Sequence, residues 1–294
     1  MEALTRILSH AGVLLMRLLA PLPLPLLRSF GWLLGQFLYL VIWPRRKVVR
    51  VNLLLCFPDM PALERVVLAR NVFVRVAQAW LDRSWLWHGS RELLAKRLKV
   101  TGDMQSLRTA SKLVLFSPHF VGLDAGGVAI TKDQLRPICS IYQSQRNPVV
   151  DSWILQSRQR FGGLRLFARM EGVREIAAAV EAGEALYLLP DMDFGSHGAE
   201  FVPFFGVNAA TVTSLSRFAR LCKAHVITLS NRMTPEGYEV NFSSAWSDFP
   251  SRDARADTAR MNRELQALIL AAPDQYYWVH KRFKTRPPGE PSLY

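Results

Sequence analysis

The sequence predicts an α/β protein in which a mainly parallel sheet is covered by helices and preceded by a hydrophobic membrane anchor. Three observations predict this fold. Short apolar segments alternate with amphipathic segments along most of the 294 residues, which is typical of parallel strands joined by crossover helices. Half of the residues are hydrophobic and 21% are charged, so the chain can bury a sizeable core. The first 50 residues, by contrast, are almost entirely apolar or basic.

The N-terminal segment, residues 1–50, is predicted to be a membrane anchor with a basic flank. Residues 26–43 form an apolar stretch that as a helix is about 27 Å long, close to the roughly 30 Å hydrocarbon core of a bilayer. Its one charge, Arg28, lies near its start, where a long side chain can reach the membrane interface. The prolines that separate this helix from the apolar segment before it are Pro21, Pro23 and Pro25.

A basic cluster directly follows the apolar stretch and contains Arg45, Arg46, Lys47 and Arg50. Positive charge beside an apolar helix marks the cytoplasmic side, so residues 51–294 are expected in the cytoplasm as the second domain. A cleaved signal peptide is disfavoured because no small-residue cleavage site precedes the cluster. A buried helix of a soluble protein is a second, weaker alternative. The helix either spans the membrane or lies in its interface.

The body of the chain predicts alternating helices and strands. Residues 61–87 have the spacing of a long amphipathic helix. The predicted strands are residues 112–117, 135–142, 185–189, 225–230 and 238–243. The other predicted helices are residues 148–161, 171–182, 211–223 and 253–271.

Charge and absent motifs exclude several function classes. Lys and Arg number 37 against 24 Asp and Glu, a net charge of +13, which suits a polyanionic partner such as a phosphorylated lipid or an acidic carrier protein. The three cysteines show no CxxC spacing, so neither a disulfide framework nor a zinc site is expected. The sequence has no Walker A, GxGxxG, HExxH or GxSxG motif, and we expect no cofactor or metal. Nucleic-acid binding is disfavoured because the basic residues do not form a recognisable binding module.

The candidate catalytic residues are His119 and Asp124, five positions apart and just past the predicted strand 112–117. Open α/β sheets place their sites at the carboxyl ends of strands. A histidine held by a carboxylate is a competent general base. Neither a serine nor a cysteine nucleophile is evident nearby, so the proton to be removed is expected to belong to a hydroxyl of an acceptor molecule. The alternative is a structural histidine whose ring makes its hydrogen bonds inside the protein core.

This HFVGLD segment resembles the HX4D box of the glycerolipid acyltransferase superfamily. Further blocks are similar to one branch, the late acyltransferases of lipid A biosynthesis, and the similarity runs from about Leu33 to Tyr294. The blocks are Asn52-Leu53 with CFPDM (56–60), RNPVVD (146–151), LPDMDFG (189–195), FVPFFG (201–206) and QYYWVHKRFKTRPPG (275–289).

The resemblance implies that residues 51–294 are an acyltransferase domain. It would move a fatty acyl chain from acyl carrier protein to a hydroxyl of a Kdo-bearing lipid A precursor, a phosphorylated glycolipid, at the cytoplasmic face of a Gram-negative inner membrane. His119 would act as general base with Asp124 orienting it. The alternatives are a glycerol-phosphate or lysophospholipid acyltransferase, and a non-catalytic membrane protein that binds lipid.

The same resemblance marks further residues as candidates for substrate binding: Arg146, Asn147, Arg158, Arg160, Asp191 and Asp193. All of them except Arg146 have a structural alternative. Asn147 is placed to cap a helix, and Arg158 and Arg160 are two apart on one helix and cannot share a face. Asp191 and Asp193 follow a proline and suit a turn, where they would otherwise bind acceptor hydroxyls or position Arg146. The basic C-terminal run is either a solvated tail or an interfacial phosphate-binding edge.

Overall fold

The computed structural model describes residues 2–168 and 172–294. The strands in these ranges are β1 (Leu98–Gly102), β2 (Leu113–Phe116), β3 (Ile138–Tyr142), β4 (Leu164–Ala168), β5 (Ala185–Leu188), β6 (Ala199–Phe204), β7 (Val207–Val212), β8 (His225–Thr234) and β9 (Gly237–Phe242). The helices are α1 (Glu2–Leu19), α2 (Leu24–Val41), α3 (Trp43–Cys56), α4 (Ala62–His88), α5 (Arg91–Arg97), α6 (Met104–Thr109), α7 (Leu123–Lys132), α8 (Pro148–Arg158), α9 (Val173–Glu181), α10 (Ser214–Cys222) and α11 (Ala254–Ala271).

Seven strands form one sheet in the order β1-β9-β8-β2-β5-β3-β4. Neighbouring strands are parallel except β8 and β9, which are joined by a connection too short for a parallel crossover. The predicted α/β class with a mainly parallel sheet is therefore confirmed. Strands β6 and β7 form a separate antiparallel hairpin.

Most elements occur where the sequence predicts them, including the long helix α4 and strands β2, β3, β5, β8 and β9. The helix predicted over residues 211–223 begins at Ser214, because residues 207–212 form β7. Glu171, in the predicted helix 171–182, lies outside the described residues. Strands β1 and β4 of this sheet are not predicted by the sequence pattern. Both are edge strands that are partly exposed, so neither has a continuous apolar run.

The core lies on both faces of the central strand β2, whose four residues are fully buried. Val114 and Phe116 pack with residues of α9, α10 and α11 on one face. Leu113 and Leu115 pack with residues of α7 and with Trp153 of α8 on the other. Because both faces are covered, functional side chains are left to the ends of the strands.

The predicted break between the two N-terminal apolar segments is confirmed. Helix α1 ends at Leu19 and α2 begins at Leu24, directly after Pro23. Among the described residues, α2 is the one helix that is long and apolar enough to cross a membrane, and 33% of it is buried. The predicted boundary at residue 50 falls within α3.

Helix α2 packs along α4 through two glycines. A Cβ atom at Gly31 would lie 2.8 Å from Cα of Gln78, and one at Gly35 would lie 2.4 Å from Cα of Val74. The GxxxG spacing therefore lets the two backbones approach closely. The opposite side of α2 exposes large apolar side chains, among them Phe30, Trp32, Leu33, Phe37 and Leu40.

Arg28 does not reach the membrane interface, and that prediction is wrong. Its side chain is 10% exposed and donates to Oδ2 of Asp82 at 3.1 Å and to the Gly237 carbonyl at 2.9 Å. Asp82 also accepts from the Tyr238 hydroxyl and from the indole of Trp85. A buried guanidinium requires such partners, so α2 is bound to α4 and to the turn between β8 and β9 rather than projecting from the protein.

Candidate active site

His119 lies at the carboxyl-terminal edge of the sheet, three residues after β2 ends. Its backbone is held by the C-terminal block 275–289. The Tyr277 N–H donates to the His119 carbonyl, and the Val121 N–H donates to the Gln275 carbonyl, both at 2.9 Å. The long C-terminal motif therefore fixes the segment that carries His119.

Asp191 is the carboxylate that contacts the His119 imidazole. It follows β5, the parallel neighbour of β2, so the two residues emerge at the same edge of the sheet. Oδ1 of Asp191 lies 2.8 Å from Nδ1 of His119, and Oδ2 accepts the His119 backbone N–H at 3.0 Å. The Asp191 side chain is completely buried, whereas the imidazole is 20% exposed.

The electrostatics of this pair favour a general base. Burial alone would raise the pKa of Asp191, but its attraction to His119 and its hydrogen bonds outweigh burial and hold that pKa below its ordinary value. An ionised Asp191 favours the tautomer with hydrogen on Nδ1, and Nε2 then carries the lone pair. An imidazole in that state can accept a proton from a bound hydroxyl.

Asp124 is held by two arginines instead of by His119. Its Oδ2 accepts from Nε of Arg83 at 2.8 Å, and its Oδ1 accepts from Nε of Arg158 at 2.9 Å. Burial would raise the pKa of Asp124, but the two guanidinium groups lower it to about 2. The expected orientation of His119 by Asp124 is thus corrected, because Asp124 in the first turn of α7 pairs with α4 and α8. A catalytic role for Asp124 stays a prediction.

A buried polar cluster lies between the end of β2 and the start of α7, on either side of His119 in the sequence, and no sequence motif predicts it. The Tyr187 hydroxyl is 2.9 Å from Oγ of Ser117 and donates to the Leu123 carbonyl at 3.0 Å. Nδ2 of Asn231 donates to Ser117 Oγ at 3.2 Å. A Cβ at Gly126 would lie 2.3 Å from Oδ1 of Asn231, so this glycine allows α7 to pack against the cluster. These contacts join the start of α7 to β2, β5 and β8.

Arg158 and Arg160 point to different places, but they are not on one helix as predicted, because α8 ends at Arg158 and Arg160 lies two residues beyond it. Arg158 donates to Asp124, which lies five positions after His119 in the sequence. Arg160 donates to the Gly89 carbonyl at 2.7 Å and lies over the Phe161 ring, 4.3 Å from its centroid. Arg160 therefore closes the C-terminal end of α4, and its substrate contact stays a prediction.

Asn147 caps α8, the structural role that the sequence offered for it. Its Oδ1 accepts the N–H of Val149 at 3.0 Å, while its Nδ2 donates to Ser9 Oγ in α1 at 2.7 Å. Arg146 precedes it in an exposed loop. Arg146 thus has freedom to meet a substrate, whereas the Asn147 amide is already engaged.

Asp193 fixes the C-terminal block to the strand-end loop. Its carboxylate accepts the backbone N–H of Thr285 at 2.6 Å and the Gly195 N–H at 2.9 Å. The Asp193 N–H donates to Nε2 of His280 at 3.1 Å. Burial, followed by the charges of His119 and Arg282, lowers the pKa of His280 to about 4. Asp193 therefore stabilises the turn that follows β5, which is the structural role that the sequence offered for it. Its contact with substrate stays a prediction.

The basic C-terminal run is not simply a solvated tail. Arg282 is 1% exposed and donates to the Ala210 carbonyl at 2.9 Å and to Thr211 Oγ1 at 2.7 Å. Its guanidinium also lies over the Phe204 ring. Arg282 is thus a core residue that ties the run to the β6–β7 hairpin. Among the described residues, no group of three His, Cys, Asp or Glu side chains could hold a metal ion.

Comparison with known proteins identifies the family of this chain. The family model of the bacterial lipid A biosynthesis acyltransferases matches residues 1–285. The chain belongs to this family. It is therefore an acyltransferase, and the resemblance inferred from its motifs is confirmed.

Curated members of the lipid A acyltransferase family match the chain along most of its length. A lipid A biosynthesis acyltransferase of Haemophilus influenzae is 34% identical over 95% of this chain and 88% of its own length. The lipid A biosynthesis palmitoleoyltransferase and the lauroyltransferase of Escherichia coli are each 31% identical, over 98% of this chain and 94% of their own lengths.

Proposed function

We propose that the protein transfers a fatty acyl group from acyl carrier protein to a hydroxyl of a Kdo-bearing lipid A precursor, with His119 as general base. The observation that carries the mechanism is the contact between Nδ1 of His119 and the buried carboxylate of Asp191. The family assignment supports the acceptor, and the charge of +13 suits both an acidic carrier and a phosphorylated glycolipid.

The reaction proceeds by direct transfer. Nε2 of His119 takes the proton of the acceptor hydroxyl while the oxygen attacks the thioester carbonyl. The tetrahedral intermediate then collapses, the C–S bond breaks, and the imidazolium returns its proton to the departing carrier thiolate. Asp191 stabilises the imidazolium throughout and keeps the ring in the orientation that presents Nε2.

The oxyanion of the tetrahedral intermediate requires a hydrogen-bond donor. The backbone amides of Leu123 and Ala125 already donate to carbonyls of the preceding turn. Arg146, exposed in the loop before α8, is the candidate whose guanidinium is able to move to the oxyanion. Asp124 contributes indirectly by holding Arg83 of α4 and Arg158 of α8 against the start of α7.

The chain is proposed to sit on the cytoplasmic face of a Gram-negative inner membrane through α1 and α2. Because Gly31, Gly35 and Arg28 bind α2 to the body, we propose that α2 lies in the interface with its apolar face toward lipid. A spanning orientation would carry α4, with its polar residues Arg65, Arg70 and Arg75, into the hydrocarbon.

A mass-shift assay tests this proposal. Detergent-solubilised protein is incubated with Kdo-bearing lipid IV-A and a panel of acyl carrier protein thioesters. The panel covers several chain lengths, because the curated relatives are named for palmitoleoyl, lauroyl and myristoyl transfer at 30 to 31% identity. The acceptor should gain the mass of one acyl group.

The matched variants are His119→Ala and His225→Ala, the latter an exposed histidine at the opposite end of the sheet. His119→Ala should fold and transfer the acyl group roughly 10²–10⁴-fold more slowly than the wild type. His225→Ala should transfer it at the wild-type rate. Near-normal turnover by His119→Ala would contradict the mechanism. Acylation of lysophosphatidic acid or a lysophospholipid instead of lipid IV-A would move the protein to the alternative acceptors, and no transfer to either acceptor would favour a lipid-binding role.

A further inference from the structure

A cationic groove separates α1 from α8, away from His119. Its cavity volume is about 550 Å³. One wall is a stripe of α1 with the spacing i, i+4, i+7 and i+11, formed by Arg6, His10, Val13 and Arg17. The described residues that line the groove include no carboxylate. An anion is therefore the ligand that the groove favours.

The opposite wall is formed by α8 and combines hydrogen-bonding with apolar side chains. Ser152 and Gln156 lie one turn apart, and Nε2 of Gln156 donates to Oγ of Ser152 at 3.0 Å. Trp153 and Val149 supply apolar surface beside them. The bond from Asn147 to Ser9 holds the two helices at this separation.

The surroundings of the groove identify the anion as part of a lipid. On α1 a separate apolar stripe is between 54% and 65% exposed, and it consists of Leu4, Ile7, Leu8, Leu14, Leu15 and Leu18. A third side of α1 packs on the body through Met16, and Ala20 just past the end of the helix is also buried. When this apolar stripe is buried at the boundary between the lipid headgroups and the acyl chains, the cationic stripe of α1 lies beside it at the depth of the headgroups.

We infer that this groove binds the phosphate of an anionic phospholipid headgroup, in addition to any site for the acyl acceptor. Arg6 and Arg17 attract the phosphate from α1, and Ser152 and Gln156 offer hydrogen bonds from α8. The lipid would clamp α1 against α8. Because Arg158 at the end of α8 contacts Asp124, the clamp also steadies the helix that holds this carboxylate. The inference does not depend on which acceptor is acylated.

Native mass spectrometry of the full chain in detergent tests the inference, with phosphatidylglycerol and phosphatidylcholine as probes. The wild type should retain one phosphatidylglycerol at concentrations where phosphatidylcholine is lost. The double variant Arg6→Gln, Arg17→Gln should need about 30-fold more phosphatidylglycerol for half occupancy, roughly fivefold for each charge near a membrane surface. Its control is Arg174→Gln, Arg263→Gln, which removes two exposed arginines from α9 and α11 and should match the wild type.

A second pair of variants distinguishes the groove from general attraction to α1. Gln156→Glu places a carboxylate on the α8 wall with almost no change of shape and should weaken retention about fivefold. Gln159→Glu, three residues later and outside the groove, should leave it unchanged. Full retention by Gln156→Glu or by the double arginine variant would overturn the inference, as would equal retention of phosphatidylcholine. Displacement of the lipid by millimolar inorganic phosphate would indicate a site for free anions and would overturn it as well.

Discussion

The carboxylate of Asp191 holds His119 at two points, the Nδ1 atom of the ring and the backbone N–H. This double contact orients the imidazole and balances its positive charge when it is protonated. Asp191→Asn should therefore fold and lower kcat by roughly 10²–10⁴-fold, because an amide stabilises neither the imidazolium nor the required tautomer. Steady-state kinetics with saturating donor and acceptor measure this loss.

The matched control for this change is Asp248→Asn. Asp248 is exposed and has a left-handed backbone, which asparagine tolerates, so activity should remain. If the kcat of Asp191→Asn were within a few-fold of the wild-type value, a group other than Asp191 would orient His119 and stabilise its protonated ring.

Asp124 makes a separate prediction about stability. Its pKa of about 2 in the folded protein lies below its ordinary value, so its contribution is present above about pH 4 and is lost as pH falls toward 2. Asp124→Asn should cost about 2 kcal/mol at pH 7 and reduce the acid-induced fall in Tm. Thermal melts at pH 7 and pH 3 measure both effects. Equal Tm values for the two proteins at pH 7 would mean that the arginine pairs contribute nothing.

His280 should make stability depend on pH in a higher range. Its pKa falls to about 4 in the folded protein, mainly through burial, while an unfolded chain takes up the proton near pH 6.5. Folding therefore loses free energy as pH drops from about 6.5 to 4. In His280→Gln, whose amide oxygen can still accept the Asp193 N–H, the Tm should change less over this range. His225→Gln is the control, and a slope unchanged in His280→Gln would contradict the assignment.

The sequence predicts the sheet and the position of His119 because both depend on local patterns. Buried parallel strands are short apolar runs, and the end of such a run marks the edge where sites form. The partner of His119 is different, since Asp124 and Asp191 are both carboxylates near strand ends. Only the order of strands, with β5 beside β2, brings Asp191 to the ring across 71 intervening positions.

The burial of charged side chains next to apolar segments is the feature that the sequence predicts least well. The sequence predicts Arg28 at the membrane interface, and it predicts the run that contains Arg282 to be either a solvated tail or an interfacial edge, because the neighbours of both residues in the sequence are apolar or basic. Both are buried, and their partners Asp82 and Thr211 lie 54 and 71 positions away. Local spacing holds no information about a partner that the fold supplies.

The buried position of Arg28 leads to a stability prediction. Arg28→Gln leaves Asp82 buried without its cation and should cost about 3–5 kcal/mol, measured by urea unfolding in detergent. Adding Asp82→Asn should recover part of the loss, since the uncompensated carboxylate is then gone. If Arg28 extended to the membrane interface instead, Arg28→Gln would leave the free energy of unfolding almost unchanged. That result would mean that α2 is not bound to the rest of the protein through Arg28.

Two glycines in neighbouring helices should respond oppositely to the same substitution. Gly35→Ala in α2 directs a Cβ into the backbone of Val74 at 2.4 Å, so α2 must move away from α4 at a cost of about 1–3 kcal/mol. Gly12→Ala in α1 meets no atom within 4 Å and should gain up to about 1 kcal/mol, because alanine favours the helix. Thermal melts of both variants in the same detergent make the comparison. If Gly35→Ala were as stable as Gly12→Ala, then α2 would not be packed on α4, and the interfacial orientation proposed for it would lose its support.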